Sequence, residues 1–172
     1  MTRRFKPPIF ATTKKGVTTW TLNLGEDEQA VVADLLGQLR TFLTSDDDPD
    51  TPTSPLLLRL FPNAYTAEED AEKEAEYQRL MREELVASRL HQIETVATYI
   101  ASGEDRTLNE GEVVALMQSV NAVRVVLGTM LGVTDDDDPD DEPDDDEFEI
   151  ERRLYAFLSW LLEWTVRSLQ TT

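Results

Sequence analysis

The stretch FEIERRLYAFLSWLLEWTVRSLQ, residues 148–170, most restricts what this chain can fold into. Leu154, Phe157, Leu158, Leu161, Trp164 and Thr165 make one helical face, which Leu169 extends. Tyr155, Trp160 and Leu162 carry apolar surface well beyond that stripe. A helix apolar on so much of its circumference has to lie inside a bundle or at a subunit contact.

Three more stretches carry helical periodicity. GEDEQAVVADLLGQLRTFL (25–43) aligns Val32, Leu35, Leu36, Leu39, Phe42 and Leu43, with acids in its first turn where the helix dipole favours them. Residues 66–103 read as one long helix, polar in its first third. Its later stripe runs through Leu80, Leu85, Leu90, Ile93, Val96, Ala97 and Ile100. Thr66 with Glu69 makes a capping box at its start, and Gly103 ends it. Residues 107–132 open on a second box, Thr107 with Glu110, and stop at Gly132. Their core face is Val113, Leu116, Met117, Val120, Val123, Leu127 and the Met130/Leu131 pair.

The connections are equally legible. PIFATTKKGVTTWTLNL (8–24) predicts a β-hairpin that turns at Lys14-Lys15-Gly16 and faces Trp20, Leu22 and Leu24 to the helices. TSDDDPDTPTSP (44–55) is a loop, and LLLRLFP (56–62) predicts a buried turn of helix ending at Pro62. The chain has 172 residues and is 40% hydrophobic, enough for a core of its own. The expected architecture is mainly α: a single domain over residues 1–172, a helical bundle of about five helices with a small N-terminal β-hairpin.

Charge is spread unevenly within a net −19. Residues 1–24 hold five cations and no acid, whereas thirteen of the seventeen residues from Asp135 to Glu151 are acidic. A chain this acidic repels phosphate backbones, so direct nucleic-acid binding is not expected. The acidic run lacks the glycine of a calcium-binding loop, and Pro139 and Pro143 stiffen it, leaving only loose condensation of divalent cations. Mimicry of nucleic acid and a cover over the basic hairpin are alternatives. A disordered acidic linker over 135–147 is the reading adopted, since blocks of like charge are solvated.

Catalytic equipment is scarce. The chain has no cysteine, which excludes disulfides, thiol nucleophiles and thiolate zinc sites. Its one histidine, His91, lies mid-helix with no nucleophile elbow or phosphate loop elsewhere in the sequence to complete a site. No enzyme activity, cofactor or metal is therefore expected. In NAVRVVLGTMLG, Asn121, Arg124 and Gly128 share a helical face, and Glu163 is the acid expected to meet Arg124 in a structural polar clamp. The other reading of this group is a ligand pocket built around Arg124. Partner-binding candidates are the cations Arg3, Arg4, Lys6, Lys14 and Lys15 and the surplus apolar residues Tyr155, Trp160 and Leu162. The N-terminus has no signal-peptide pattern and no run approaches a membrane span, so a cytoplasmic protein without membrane contact is expected.

The order of VVADLLGQLRTFL, PLLLRLFPNAY, NAVRVVLGTMLGV, an acidic gap and LYAFLSWLLEWTVRSL resembles an actinobacterial family over nearly the whole chain. That family was long catalogued as a domain of unknown function and is sometimes identified as AosR, an oxidative-stress regulator. The most distinctive run is Asn121, Arg124, Leu127, Gly128, Leu131 and Gly132. The resemblance implies a small helical protein without known catalysis that contacts a sigma factor of RNA polymerase. Lacking cysteine, this chain departs from a thiol-based redox response. The functional expectation is a non-enzymatic protein-protein interaction module, acting on the transcription or protein-quality machinery and capable of forming a homodimer. The alternative is a small-ligand or cation-binding helical domain that uses Arg124 or the acidic run.

Overall fold

In the hairpin, strands β1 (Ile9–Lys14) and β2 (Val17–Leu22) pair antiparallel, with Ile9 opposite Leu22 and Lys14 opposite Val17. The structure is a computed structural model that describes residues 6–45, 54–102, 107–133 and 146–170. Lys15 (φ 52°) and Gly16 (φ 79°) form the turn, both left-handed, which matches the twist of the strands it joins. At the open end the Asn23 N–H donates to the Pro8 carbonyl at 2.6 Å. Trp20 and Leu24 are buried and Leu22 is half-buried, as the alternation predicts.

Four α-helices follow among the described residues: α1 (Glu26–Ser45), α2 (Ala71–Ser102), α3 (Glu110–Met130) and α4 (Glu149–Gln170). The mainly α architecture with an N-terminal hairpin stands. The fifth expected helix is a single 3₁₀ turn at Leu58–Leu60, and Leu57, Leu60 and Phe61 beside it are buried. Further 3₁₀ turns at Glu68–Asp70 and Asp146–Phe148 lead into α2 and α4. Most of the acidic linker expected at 135–147, and the Gly103 stop, lie outside the described residues.

Helix α3 is central: α1, α2, α4, β2 and the 58–60 turn all pack against it. Helix α4 also receives β1, and α1 also meets α2. A Schellman motif stops α3, with Gly132 left-handed at φ 69° and the Val133 N–H donating to the Gly128 carbonyl at 2.8 Å. By length and composition α3, with a mean hydropathy of 1.5, could cross a membrane. That corrects the expectation that no run approaches a span. In this fold its apolar residues cover the neighbouring elements instead.

Trp20 joins three parts of the chain. Its backbone N–H donates to the Leu108 carbonyl at 3.0 Å and its carbonyl accepts from the Leu108 N–H at 2.7 Å. Its indole Nε1 donates to the Ser168 carbonyl near the end of α4 at 3.3 Å, and the side chain is only 2% exposed. This pairing corrects the expected start of α3. Because Leu108 is held extended beside Trp20, the helix begins two residues later than Thr107 would allow, capped by Asn109. The Asn109 side chain accepts from the Glu112 N–H at 3.0 Å, and Glu112 accepts from the Asn109 N–H at 2.9 Å, a complete capping box.

The box expected at Thr66 and Glu69 does not form; the turn before α2 starts at Ala67 without a side-chain cap. Polar contacts from α2 itself secure the preceding segment. The Glu74 carboxylate accepts from the Ala64 and Tyr65 N–H groups at 2.9 and 2.7 Å, and from Gln78 at 2.7 Å. Arg82 and Arg89 lie over the Phe61 ring, and Arg89 donates to the Leu60 carbonyl at 3.1 Å. The buried residues of α2 are Val86, Ile93, Val96 and Tyr99, from its midpoint onward. Leu80, expected in the core stripe, is 61% exposed; in the first half of α2 the aromatic cover goes instead to Tyr77, whose ring meets Tyr65 edge-on at 6.4 Å.

Replacing Trp20 with alanine removes a buried aromatic and its indole tether to α4, while the backbone pairing with Leu108 remains available. The expected loss is about 3–5 kcal/mol of unfolding free energy, read from urea titrations. Desolvation pushes the Glu74 carboxyl up, but hydrogen bonds from Gln78, Tyr65 and Ala64 outweigh it and hold the group below its ordinary 4.5. The ionised group therefore supports the segment at pH values above 4.5, and that support disappears as pH falls through the lower folded value. Amide exchange at Ala64 and Tyr65 should lose protection over that acid window, and Glu74→Gln should flatten the response.

Candidate functional site

The polar group on α3 and α4 is arranged differently from the expected clamp. Arg124 donates from Nε to the Ser159 hydroxyl at 2.8 Å, and its guanidinium carbon lies 5.0 Å from the centre of the Tyr155 ring. Tyr155 also covers Gly128: a Cβ added there would stand 3.1 Å from the ring carbon Cε2. The close approach expected at Gly128 is therefore to an aromatic ring of α4. Glu163 is corrected as the partner of Arg124, since it is exposed and pairs with Arg167 one turn later on its own helix. Asn121, one turn before Arg124, is exposed. Serine and tyrosine take the place of a carboxylate because Arg124 is only half-buried and keeps part of its hydration.

The other candidates are scattered. Lys14 and Lys15 are exposed at the hairpin turn and Lys6 is exposed before it, whereas Arg3 and Arg4 lie outside the described residues. Trp160 and Leu162 are half-buried against the core, Trp160 with its ring centre 6.1 Å from that of Phe157. His91 is exposed on α2. Among the described residues, no group of three or more His, Cys, Asp or Glu side chains is placed to hold a metal ion.

A concavity of the surface lies elsewhere. Helices α1 and α4 both flank α3, and between them runs an open groove of about 1190 Å³. Its floor is Val123, Val126 and Leu127 of α3, and Leu154 of α4 and Phe42 of α1 stand in its walls. Met130, expected in the core, opens into this groove and is 37% exposed. Val31 on α1 is exposed to the same extent. Sequence reasoning missed the groove because the α3 stripe says which residues are apolar but not which neighbour covers each. One signal was available: VRVVLGTM carries apolar residues on nearly every side, more than a single packed face requires.

The fold and the groove together define a small helical domain with an apolar surface slot and a hairpin cap. The chain belongs to the family described as a domain of unknown function, DUF2017, whose model matches residues 2–169. Comparison with curated proteins and with solved structures gave no match.

A double-mutant cycle tests the revised polar group. Arg124→Met and Tyr155→Leu should couple by about 0.5–1 kcal/mol in chemical unfolding, whereas Arg124→Met and Glu163→Gln should be additive within about 0.3 kcal/mol.

Proposed function

We propose that this protein is a non-enzymatic interaction module that receives a helical segment of a partner protein in the groove between α1 and α4. The carrying observation is that the central helix leaves Val126 and Met130 along an open apolar slot. Recognition of a helix in a groove needs an apolar floor, two walls and exposed apolar residues at the mouth. The floor of α3 and the side chains of Val31 and Met130 provide these. An open slot suits a helix better than a small molecule, which binds most tightly where it is enclosed on most sides. The resemblance to oxidative-stress regulators supports a finer form of the reading, in which the partner is a sigma factor of RNA polymerase. With no cysteine in the chain, such a role runs without a disulfide switch in this protein. Cytoplasmic residence, with neither cofactor nor membrane contact, goes with this reading.

A photo-crosslinking residue in place of Met130, introduced in the native host, tests it. One dominant protein adduct is expected, absent when the crosslinker replaces Val17 on the hairpin and lost when Val31→Glu is added. Equal adducts at both positions, or none at Met130, would remove the proposal.

A further inference from the structure

We infer that the occupant of the groove is an amphipathic helix whose apolar stripe is flanked by cations. This rests on the groove reading above and adds the chemistry of the partner. The two walls each contribute one carboxylate, Asp34 from α1 and Glu151 from α4, and no lining residue is a cation. Several arginines on these helices have partners of their own: Arg40 of α1 reaches Glu94 of α2 at 3.4 Å, Arg124 donates to Ser159, and Arg153, two residues after Glu151, pairs with Glu149. Only Gln38, at 2.7 Å, meets the Asp34 carboxylate among the hydrogen bonds found there, so the acid can accept a cation from outside.

The wall of α4 also continues beyond the bundle. Ile150, Leu154, Leu158 and Leu161 follow one helical face; the last two are buried, Leu154 lines the groove and Ile150 is 70% exposed. The stripe thus runs out into solvent at one end of the slot, where a docked helix would gain a further apolar contact. A second copy of the chain also has apolar helices, but it would bring a net charge of −19 towards acidic walls. A helix with lysine or arginine beside its stripe meets both the apolar floor and the carboxylates.

The test uses the full chain and three fluorescent peptides of about three helical turns, read by anisotropy. The first has leucines at helical spacing with lysine flanks. In the second, glutamates replace the lysines, and in the third the leucines are scrambled among the lysines. The first should bind at least about tenfold tighter than either control and weaken as salt rises. Asp34→Asn with Glu151→Gln should weaken it several-fold, and Val31→Glu should abolish it, both in proteins of unchanged circular dichroism.

Equal binding of the glutamate peptide overturns the charge assignment, and equal binding of the scrambled peptide overturns recognition by the groove. Dimerisation in light scattering that Met130→Glu abolishes would assign the slot to a second copy. If the crosslinker at Met130 traps a protein while the lysine peptide fails, the charge inference alone falls. If both fail, the groove reading falls with it.

Discussion

A helix that is apolar on nearly every side has to be surrounded, and α3 imposes that condition on the rest of the molecule. Each exposed apolar side chain on it forgoes roughly 1.5–3 kcal/mol of burial, so neighbours gather wherever the chain can supply them. Helix α2 covers one side, α4 another and α1 a third, with β2 and the 58–60 turn closing gaps at the periphery. Among the described residues the cover is open where α1 and α4 part, over Val126 and Met130. The candidate binding surface is thus the remainder of a packing problem, the side of the central helix that this chain does not close with its own described elements.

The remaining elements are joined by a few polar contacts of high leverage. Trp20 fastens the hairpin to the start of α3 through its backbone and to the end of α4 through its indole, so three distant parts of the sequence meet at one buried residue. At the opposite extreme, the early half of α2 has little apolar cover beyond the Tyr65–Tyr77 ring contact, and α2 holds the segment at 60–65 largely through Glu74, Gln78, Arg82 and Arg89. Three of these, Glu74, Gln78 and Arg82, recur every four residues and form one polar ridge along the helix. This polar ridge does here what a leucine stripe does in the later half, and through Glu74 it is sensitive to acid.

How much could be read beforehand differs between fold and site. The stripes of α1, α3 and α4 gave their buried faces closely: Val32, Leu36, Val113, Val120, Leu158 and Leu161 are all core. The hairpin turn and the Gly132 stop were equally plain, since positive φ leaves few alternatives to glycine. The polar group around Arg124 was located correctly on α3, but its partner was not. Charge alone favoured Glu163, whereas the seam between the helices presents Ser159 and Tyr155. The start of α3 moved for a related reason: Thr107 and Asn109 both head acceptable capping boxes, and only the strand-like pairing of Leu108 with Trp20 selects between them.

By itself, the amino-acid order determined that this chain is a mainly helical bundle with an N-terminal hairpin, strongly acidic, and without the thiol chemistry that cysteine would bring. These follow from local properties: periodicity, turn residues and composition act over a few residues at a time. Tertiary structure alone decided that Met130 and Val31 face an open slot, that Leu80 lies uncovered, and that Tyr155 rests between Gly128 and Arg124. Each of those depends on how far apart two helices stand, and that distance is set by the sum of many contacts across the bundle. No single stretch of sequence contains it.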